Sequence, residues 1–259
     1  MSKTALITGA SGGIGREMAN TLAAKNVNLV LVARSEHVLE KMKLDLEAHH
    51  NIMVFNIVRD LSEIDSARDI YDIVKLKNIS IDYLINNAGF GDYGKFFNTD
   101  WEKEYAMIQL NIVALTYLTK LFLQDMLERN AGKIMNVAST AAFQPGPLMA
   151  VYYATKSFVL YLSEAIAEEI ADSNVTITTL CPGPTGTGFK DNAELGDSGL
   201  FKRAKIADAG DVATYGIAAM LKGKRLAVHG IMNKIMAFSN RLLPRKLILK
   251  TVHQLSKEK

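Results

Sequence analysis

Thr4-Ala5-Leu6-Ile7-Thr8-Gly9-Ala10-Ser11-Gly12-Gly13-Ile14-Gly15 joins a short apolar, β-branched run to a glycine-rich turn. The turn opens onto Ile14, Met18 and Leu22, an apolar face spaced by four. A short apolar run that gives way within a few residues to helical spacing reads as strand, turn, helix. Three chemistries use such a turn. In the first, glycines let backbone N–H groups approach a phosphate at the positive end of the helix, as in dinucleotide binding. The second, a nucleoside triphosphate loop, requires G-x-x-x-x-G-K-[ST], whereas Arg16 follows Gly15. The third is the G-x-S-x-G nucleophile elbow of a hydrolase, matched by Gly9-Ala10-Ser11-Gly12-Gly13. That elbow follows several strands and an oxyanion loop, and too little chain precedes Thr8 to form them. The dinucleotide reading stands, with a merely structural turn as its plain alternative, and the glycine spacing is a variant of the usual G-x-G-x-x-G.

Working outward, short apolar runs alternate with longer amphipathic segments. Strands are predicted at Thr4 to Ile7, Asn28 to Val32, Ile52 to Ile57, Tyr83 to Asn86, Lys133 to Val137 and Val175 to Leu180. Helices are predicted from near Gly13 and from Ser35 to Ala48. This alternation implies an α/β fold, a doubly wound parallel sheet with helices on both faces. The 259 residues fit a single Rossmann-like domain, because α/β domains reach this length undivided. Residues 182–210, rich in Gly, Pro, Asp and Thr, read as a long substrate loop. With 49% hydrophobic and 22% charged residues, the chain is neither disordered nor fibrous. A net charge of +3 is too small for a general nucleic-acid binder, and one cysteine allows no intrachain disulfide. The glycine turn leaves no room for a signal peptide, and no uninterrupted run of 18 apolar residues occurs, so a soluble, cytoplasmic protein is expected.

About twenty residues beyond the turn, NAD sites place a carboxylate and NADP sites an arginine. Counting from Gly13 reaches Ala33; Arg34 follows, and no acid occurs before Glu36. A guanidinium suits the 2′-phosphate, so NADPH is expected in preference to NADH, the alternative being that Arg34 is a solvated charge at a helix start. Asn86-Asn87-Ala88-Gly89 ends the fourth strand, Ser139 follows the fifth, and Tyr152-Tyr153-Ala154-Thr155-Lys156 comes next. Four residues are about one helical turn, so Tyr152 and Lys156 share a face. A neighbouring ammonium favours phenolate, which would bring Tyr152 closer to a working pH for proton transfer.

In combination and order, these motifs resemble the short-chain dehydrogenase/reductase family over about residues 4 to 190, with Pro182-Gly183-Pro184-Thr185-Gly186-Thr187 as the last of them. The resemblance implies a seven-stranded sheet and interconversion of a carbonyl and an alcohol. Tyr152, thirteen after Ser139 and four before Lys156, takes the family's catalytic position, and Tyr153 does not. By the same resemblance, Tyr152 is the proton donor and Ser139 bonds the substrate carbonyl. Lys156 also holds the nicotinamide ribose, and Asn111 holds a water in the proton relay. The alternative for Asn111 is a helix-bending asparagine. Cofactor contacts are expected from Gly9, Ser11, Gly12, Gly13, Ile14, Gly15, Arg34, Asn86, Asn87, Ala88, Gly89, Tyr152, Lys156, Pro182, Gly183, Thr185 and Thr187. The pair Asp60-Leu61 would contact adenine, or Asp60 would cap a helix starting at Leu61.

Phe90, Tyr93, Phe96, Phe97, the stretch 143–149 and Phe189 suggest an apolar ketone or aldehyde substrate, with no basic clamp for a carboxylate or phosphate. Residues 222–259 carry ten basic residues and only Glu258 as an acid, a charge of +9 that leaves −6 for the rest. Ile231, Ile235, Phe238 and Leu242 recur at helical spacing, and Pro244 separates them from Leu247, Ile248, Leu249, Val252 and Leu255. This basic amphipathic extension would pack on its own core, the preferred reading, or form an oligomer contact, or meet an anionic membrane. A homo-oligomer is expected. No metal is expected, because the five histidines show no ligand spacing. The alternative function is a dinucleotide-sensing or membrane-associated regulator without significant turnover.

Overall fold

A computed structural model describes residues 2–188, 206–240 and 242–257. The doubly wound sheet is present. Its strands are β1 (Thr4–Thr8), β2 (Asn28–Ala33), β3 (Val54–Val58), β4 (Tyr83–Asn86), β5 (Gly132–Val137), β6 (Val175–Cys181) and β7 (Leu226–Val228). All pair in parallel, in the order β3-β2-β1-β4-β5-β6-β7. The chain runs outward from β1 to β3, then returns to the other side of β1 at β4. The order therefore reverses between β1 and β4, and ligands of such sheets bind beyond the carboxyl ends of the strands at that point.

Alternation along each strand divides the core. Ala5 and Ile7 face a layer with Met18, Leu22, Leu39, Val212 and Ile217, while Leu6 faces the opposite layer with Ile70, Leu118, Phe122 and Met126. The first layer is built by α1 (Gly13–Ala23), α2 (Glu36–His49) and, late in the chain, Ala209–Leu221. The second is built by α3 (Ser66–Leu76), α5 (Leu115–Glu128) and α6 (Ala150–Glu169). The third strand begins at Val54 rather than Ile52, since its ladder with β2 starts at Leu29↔Val54 and the N–H of Met53 is taken by the Asn28 side chain.

Helix α4 (Trp101–Ile108) runs through a π-helical turn, Gln109–Ala114, into α5. Among the described residues, this continuous stretch is long and apolar enough to cross a membrane, with a mean hydropathy of 1.5 over its most apolar window. Its inner side, including Met107, Ala114, Leu118, Phe122 and Met126, is buried in the protein. Of the segment predicted as a loop, residues 189–205 lie outside the described residues, Phe189 among them; Thr185 bridges Ala207 across it. Ala209 and Gly210 instead open α7 (Ala209–Leu221), capped by the Asp208 carboxylate.

The extension forms two helices, α8 (Ile231–Ser239) and α9 (Arg245–Ser256), separated at Pro244. Ile248 and Val252 of α9 bury against Ala141, Met149 and Tyr153. Tyr93 donates its hydroxyl to the Ser256 carbonyl at 2.7 Å, and Asn240 donates to Gln144 at 2.6 Å. Part of the extension thus packs on the protein's own core.

Candidate active site

Beyond the carboxyl ends of β1, β4, β5 and β6 lies a cleft of about 1470 Å³. Its glycine end is shaped by close approach. Gly9 has φ +65°, and a Cβ there would lie 2.9 Å from the Ala88 backbone; a Cβ on Gly13, at φ +52°, would lie 2.8 Å from Thr187. Asn87 ties the turn to β4 by donating from its amide to the Thr8 and Gly9 carbonyls at 3.0 and 3.3 Å. The Thr8 hydroxyl accepts from the N–H groups of Asn87 and Ala88. At Gly12 no side chain caps α1, and its first turn carries no acidic residue. The N-terminal N–H groups and the positive end of this helix are thus available to an anion. A nicotinamide dinucleotide fits these residues: its pyrophosphate would meet Gly12 and Gly13 over the surface that the glycines keep open.

The other end of this half of the cleft is lined by Arg34, Arg59, Asp60, Leu61 and Ser62. Arg34 lies 3.6 Å from the Asp60 carboxylate. Burial pushes the Asp60 carboxyl up, but two hydrogen bonds from Ser62 and the nearby Arg34 outweigh it and leave its pKa below the ordinary value. Asp60 is not a helix cap for Leu61, because α3 begins only at Ser66; it holds a turn instead.

In the middle of the cleft stand Ser139, Tyr152 and Lys156. Ser139 leaves the end of β5 and opens a 3₁₀ turn, Thr140–Phe143, by accepting from the N–H of Ala141. Burial pushes the Tyr152 phenol up to about 12, and a hydrogen bond from Ser139 pulls in the other direction. The Lys156 ammonium donates to the Val137 carbonyl at 2.9 Å and lies 5.9 Å from the centre of the Tyr152 ring. Burial lowers Lys156 to about 8. The expected depression of the tyrosine by the lysine is thus absent from this geometry: the ammonium is aimed at a backbone carbonyl, and desolvation dominates both groups. Tyr153 also borders the cleft, but its ring packs onto Gly146 and burial raises its pKa.

Asn111 does not line the cleft. It is fully buried in the π-helical turn. Its amide donates to the Phe90 carbonyl and to Thr155 at 3.0 and 3.1 Å, and its oxygen accepts from the Phe90 N–H. Thr155 in turn donates to the Tyr152 carbonyl at 2.8 Å, so Asn111 braces the turn of α6 that carries Tyr152. A Cβ on Gly89 would touch both Asn111 and Lys156, which places these two side chains behind the same glycine. Gly15 supports the turn from below, packed on Gly9 and Asn87. Asn86 is also absent from the cleft, because its amide is spent on Thr119 and Asn136 inside the core. Every other residue expected to contact the cofactor lines the cleft.

The aromatic reading of the substrate end needs correction. Phe90 and Met149 line the cleft, but Phe96 and Phe97 project into solvent and Phe143 packs against the core around Leu115 and Val159. The apolar wall comes from Met149 and from the extension, through Ile231, Met232, Met236, Val252 and Leu255. Lys103 also borders the cleft, its charge paired with Asp92 at 2.7 Å. Arg59 and the extension were missed in the sequence. Arg59 follows β3 as Arg34 follows β2, a parallel that could have revealed it.

The model of the family described as short chain dehydrogenase matches residues 3–197. A very-long-chain 3-oxoacyl-CoA reductase of Rattus norvegicus is 29% identical over 97% of this chain and 79% of its own. Among solved structures, a short-chain dehydrogenase from Sphingobium yanoikuyae in complex with NADPH superposes with a TM-score of 0.83 at 26% identity, over 93% of each chain. A bulky-bulky ketone specific alcohol dehydrogenase from Comamonas testosteroni gives a TM-score of 0.78 at 25% identity, over 93% of this chain and 92% of that one. With its parallel sheet, its glycine turn and a serine, tyrosine and lysine gathered over the ends of the central strands, this chain belongs to the short-chain dehydrogenases, oxidoreductases that use a nicotinamide dinucleotide on CH–OH and C=O groups.

Proposed function

We propose that this protein is an NADPH-dependent reductase of ketones borne on long apolar chains, with 3-oxoacyl thioesters as the substrate class. The observation that carries this reading is the cleft itself. Drug-sized pockets span roughly 300 to 1,000 Å³, so about 1470 Å³ accommodates a dinucleotide and an extended substrate together. The Ser139, Tyr152 and Lys156 cluster stands between a half that ends in Arg34 and Arg59 and a half walled by methionine, valine and leucine. The names of the rat and Comamonas relatives, a very-long-chain 3-oxoacyl-CoA reductase and a bulky-ketone dehydrogenase, support the same class.

When bound, a dihydronicotinamide would supply the hydride that the carbonyl carbon receives. Ser139 donates a hydrogen bond to the carbonyl oxygen and holds it beside Tyr152. As the carbonyl π pair moves onto oxygen, Tyr152 gives that oxygen its proton, and an alcohol results. Lys156, its ammonium held by the Val137 carbonyl in the cleft, would hold the ribose hydroxyls of that dinucleotide. Asn111, through Thr155, keeps the tyrosine in place. Arg34 and Arg59 would take the 2′-phosphate of the dinucleotide. Self-association belongs to the same reading and would use the exposed aromatic side chains Trp101, Tyr105, Tyr117 and Tyr161 on α4, α5 and α6.

The test is oxidation of NADPH, beside NADH, with 3-oxoacyl thioesters of increasing chain length and with small polar ketoses. Turnover that rises with chain length, prefers NADPH and vanishes in Tyr152→Phe is expected. A preference for the ketoses, or equal use of NADH, would overturn the assignment.

A further inference from the structure

Helix α8 is inverted. A helix on a soluble protein turns its apolar stripe toward the core. Here Ile231, Ile235, Phe238 and Leu242 fall on one stripe of the helix and its continuation, and they are 77%, 56%, 62% and 72% exposed, whereas the buried residue of α8 is the small Ala237. Met232, Leu243, Leu247 and Leu249 extend this apolar surface onto the start of α9. Basic residues intersperse it: Lys234, Arg245, Lys246 and Lys250 are all exposed. No acidic residue occurs anywhere from 222 to 257, in a chain whose remainder is net negative. Ile231 and Met232 belong at once to this face and to the rim of the cleft, which continues inward as Met236, Val252 and Leu255.

We infer that the α8–α9 face docks on an anionic lipid bilayer, with the cleft opening at the membrane surface. The apolar stripe enters the headgroup and acyl boundary while the lysines and arginines meet lipid phosphates. A purely apolar face would serve a second copy equally well. The density of positive charge argues against that partner, because the same face of a second copy would bring two such charge sets together, and it favours a surface of opposite sign. Docking rests on this surface alone; its use, direct entry of a membrane-dissolved substrate across Ile231 and Met232, rests on the proposed reductase activity.

The experiment is sedimentation of the full chain with phosphatidylcholine vesicles, with and without phosphatidylglycerol, at low and high salt. Binding that requires phosphatidylglycerol and weakens with salt is expected. Arg245→Glu with Lys246→Glu should lower the partition coefficient by about tenfold or more. Ile235→Glu with Phe238→Glu should do likewise, and because these side chains are exposed, both variants should keep the native circular dichroism and melting temperature. Failure to sediment with anionic vesicles, or equal sedimentation with neutral ones, overturns the inference. So does a dimer in solution that Phe238→Glu splits, which would assign the face to a second copy. None of these readouts requires turnover, so failure of docking and failure of the reductase reading are separately visible.

Discussion

On the proposed reading, removing the guanidinium groups of Arg34 and Arg59 should erase a preference for NADPH. Arg34 and Arg59 are 75% and 43% exposed, and each already lies near a carboxylate, Asp60 at 3.6 Å and Asp69 at 3.7 Å. A shielded hydrogen bond from a charged group contributes about 1.5 to 3 kcal/mol. Exposure and salt screening place both arginines at the low end, about 1 to 1.5 kcal/mol each, or close to tenfold in kcat/KM for NADPH. NADH lacks the 2′-phosphate and should be nearly indifferent to either loss. Arg34→Ala has a second effect, because it leaves Asp60 without its cation and free to accept from a ribose 2′-hydroxyl. Its NADPH to NADH ratio should therefore fall further than that of Arg59→Ala. The double variant should fall by up to about a hundredfold, and by less if the two groups share one phosphate oxygen. Initial rates with both cofactors at two salt concentrations read these ratios directly. A native enzyme indifferent between the cofactors, or a double variant whose ratio stays within about twofold of native, would refute the reasoning.

Tyr152→Phe should lower kcat by about 10² to 10⁴ while retaining cofactor binding measured by fluorescence quenching, and Tyr153→Phe, outside the Ser139 pair, should stay near native. If the two variants behave alike, the assignment by spacing fails. Leu255→Trp or Val252→Phe, at the far wall, should shorten the longest ketone accepted while leaving short ones unaffected; a uniform loss across chain lengths would point to misfolding instead. Lys156, lowered by burial to about 8 from 10.5, binds fewer protons folded than unfolded between those values, so stability should rise as pH passes 8. Cys181, pushed up by burial to about 12 from 9.0, acts in the opposite direction above 9 and confines the rise to about one pH unit. Urea unfolding at a series of pH values should show this rise in the native chain and not in Lys156→Met; equal slopes would sink the claim.

Much of the fold was legible because hydrophobic period is a local property. The six predicted strands all appear, and the stretch from Thr4 to Gly15 already contains the strand, the turn and the unobstructed helix start that an anion requires. The spacing of Ser139, Tyr152 and Lys156 was equally readable, because Tyr152 and Lys156 are fixed to each other by one helical turn. Contacts between distant segments were not readable. Asn86 and Asn87 are neighbours of the same type, yet strand alternation sends one into the core and the other onto the glycine turn. Lys156 stands near Tyr152, but the Val137 carbonyl nineteen residues earlier decides where its ammonium points. The sequence by itself determined six of the strands, the glycine turn between β1 and α1, and the one-turn spacing that puts Tyr152 and Lys156 on one helix face. Tertiary structure alone decided the apolar wall of the cleft: Met236 reaches it from α8, Val252 and Leu255 from α9, and the energy that holds α9 there comes from burying Ile248 and Val252 against Ala141, Met149 and Tyr153, which are distant in sequence.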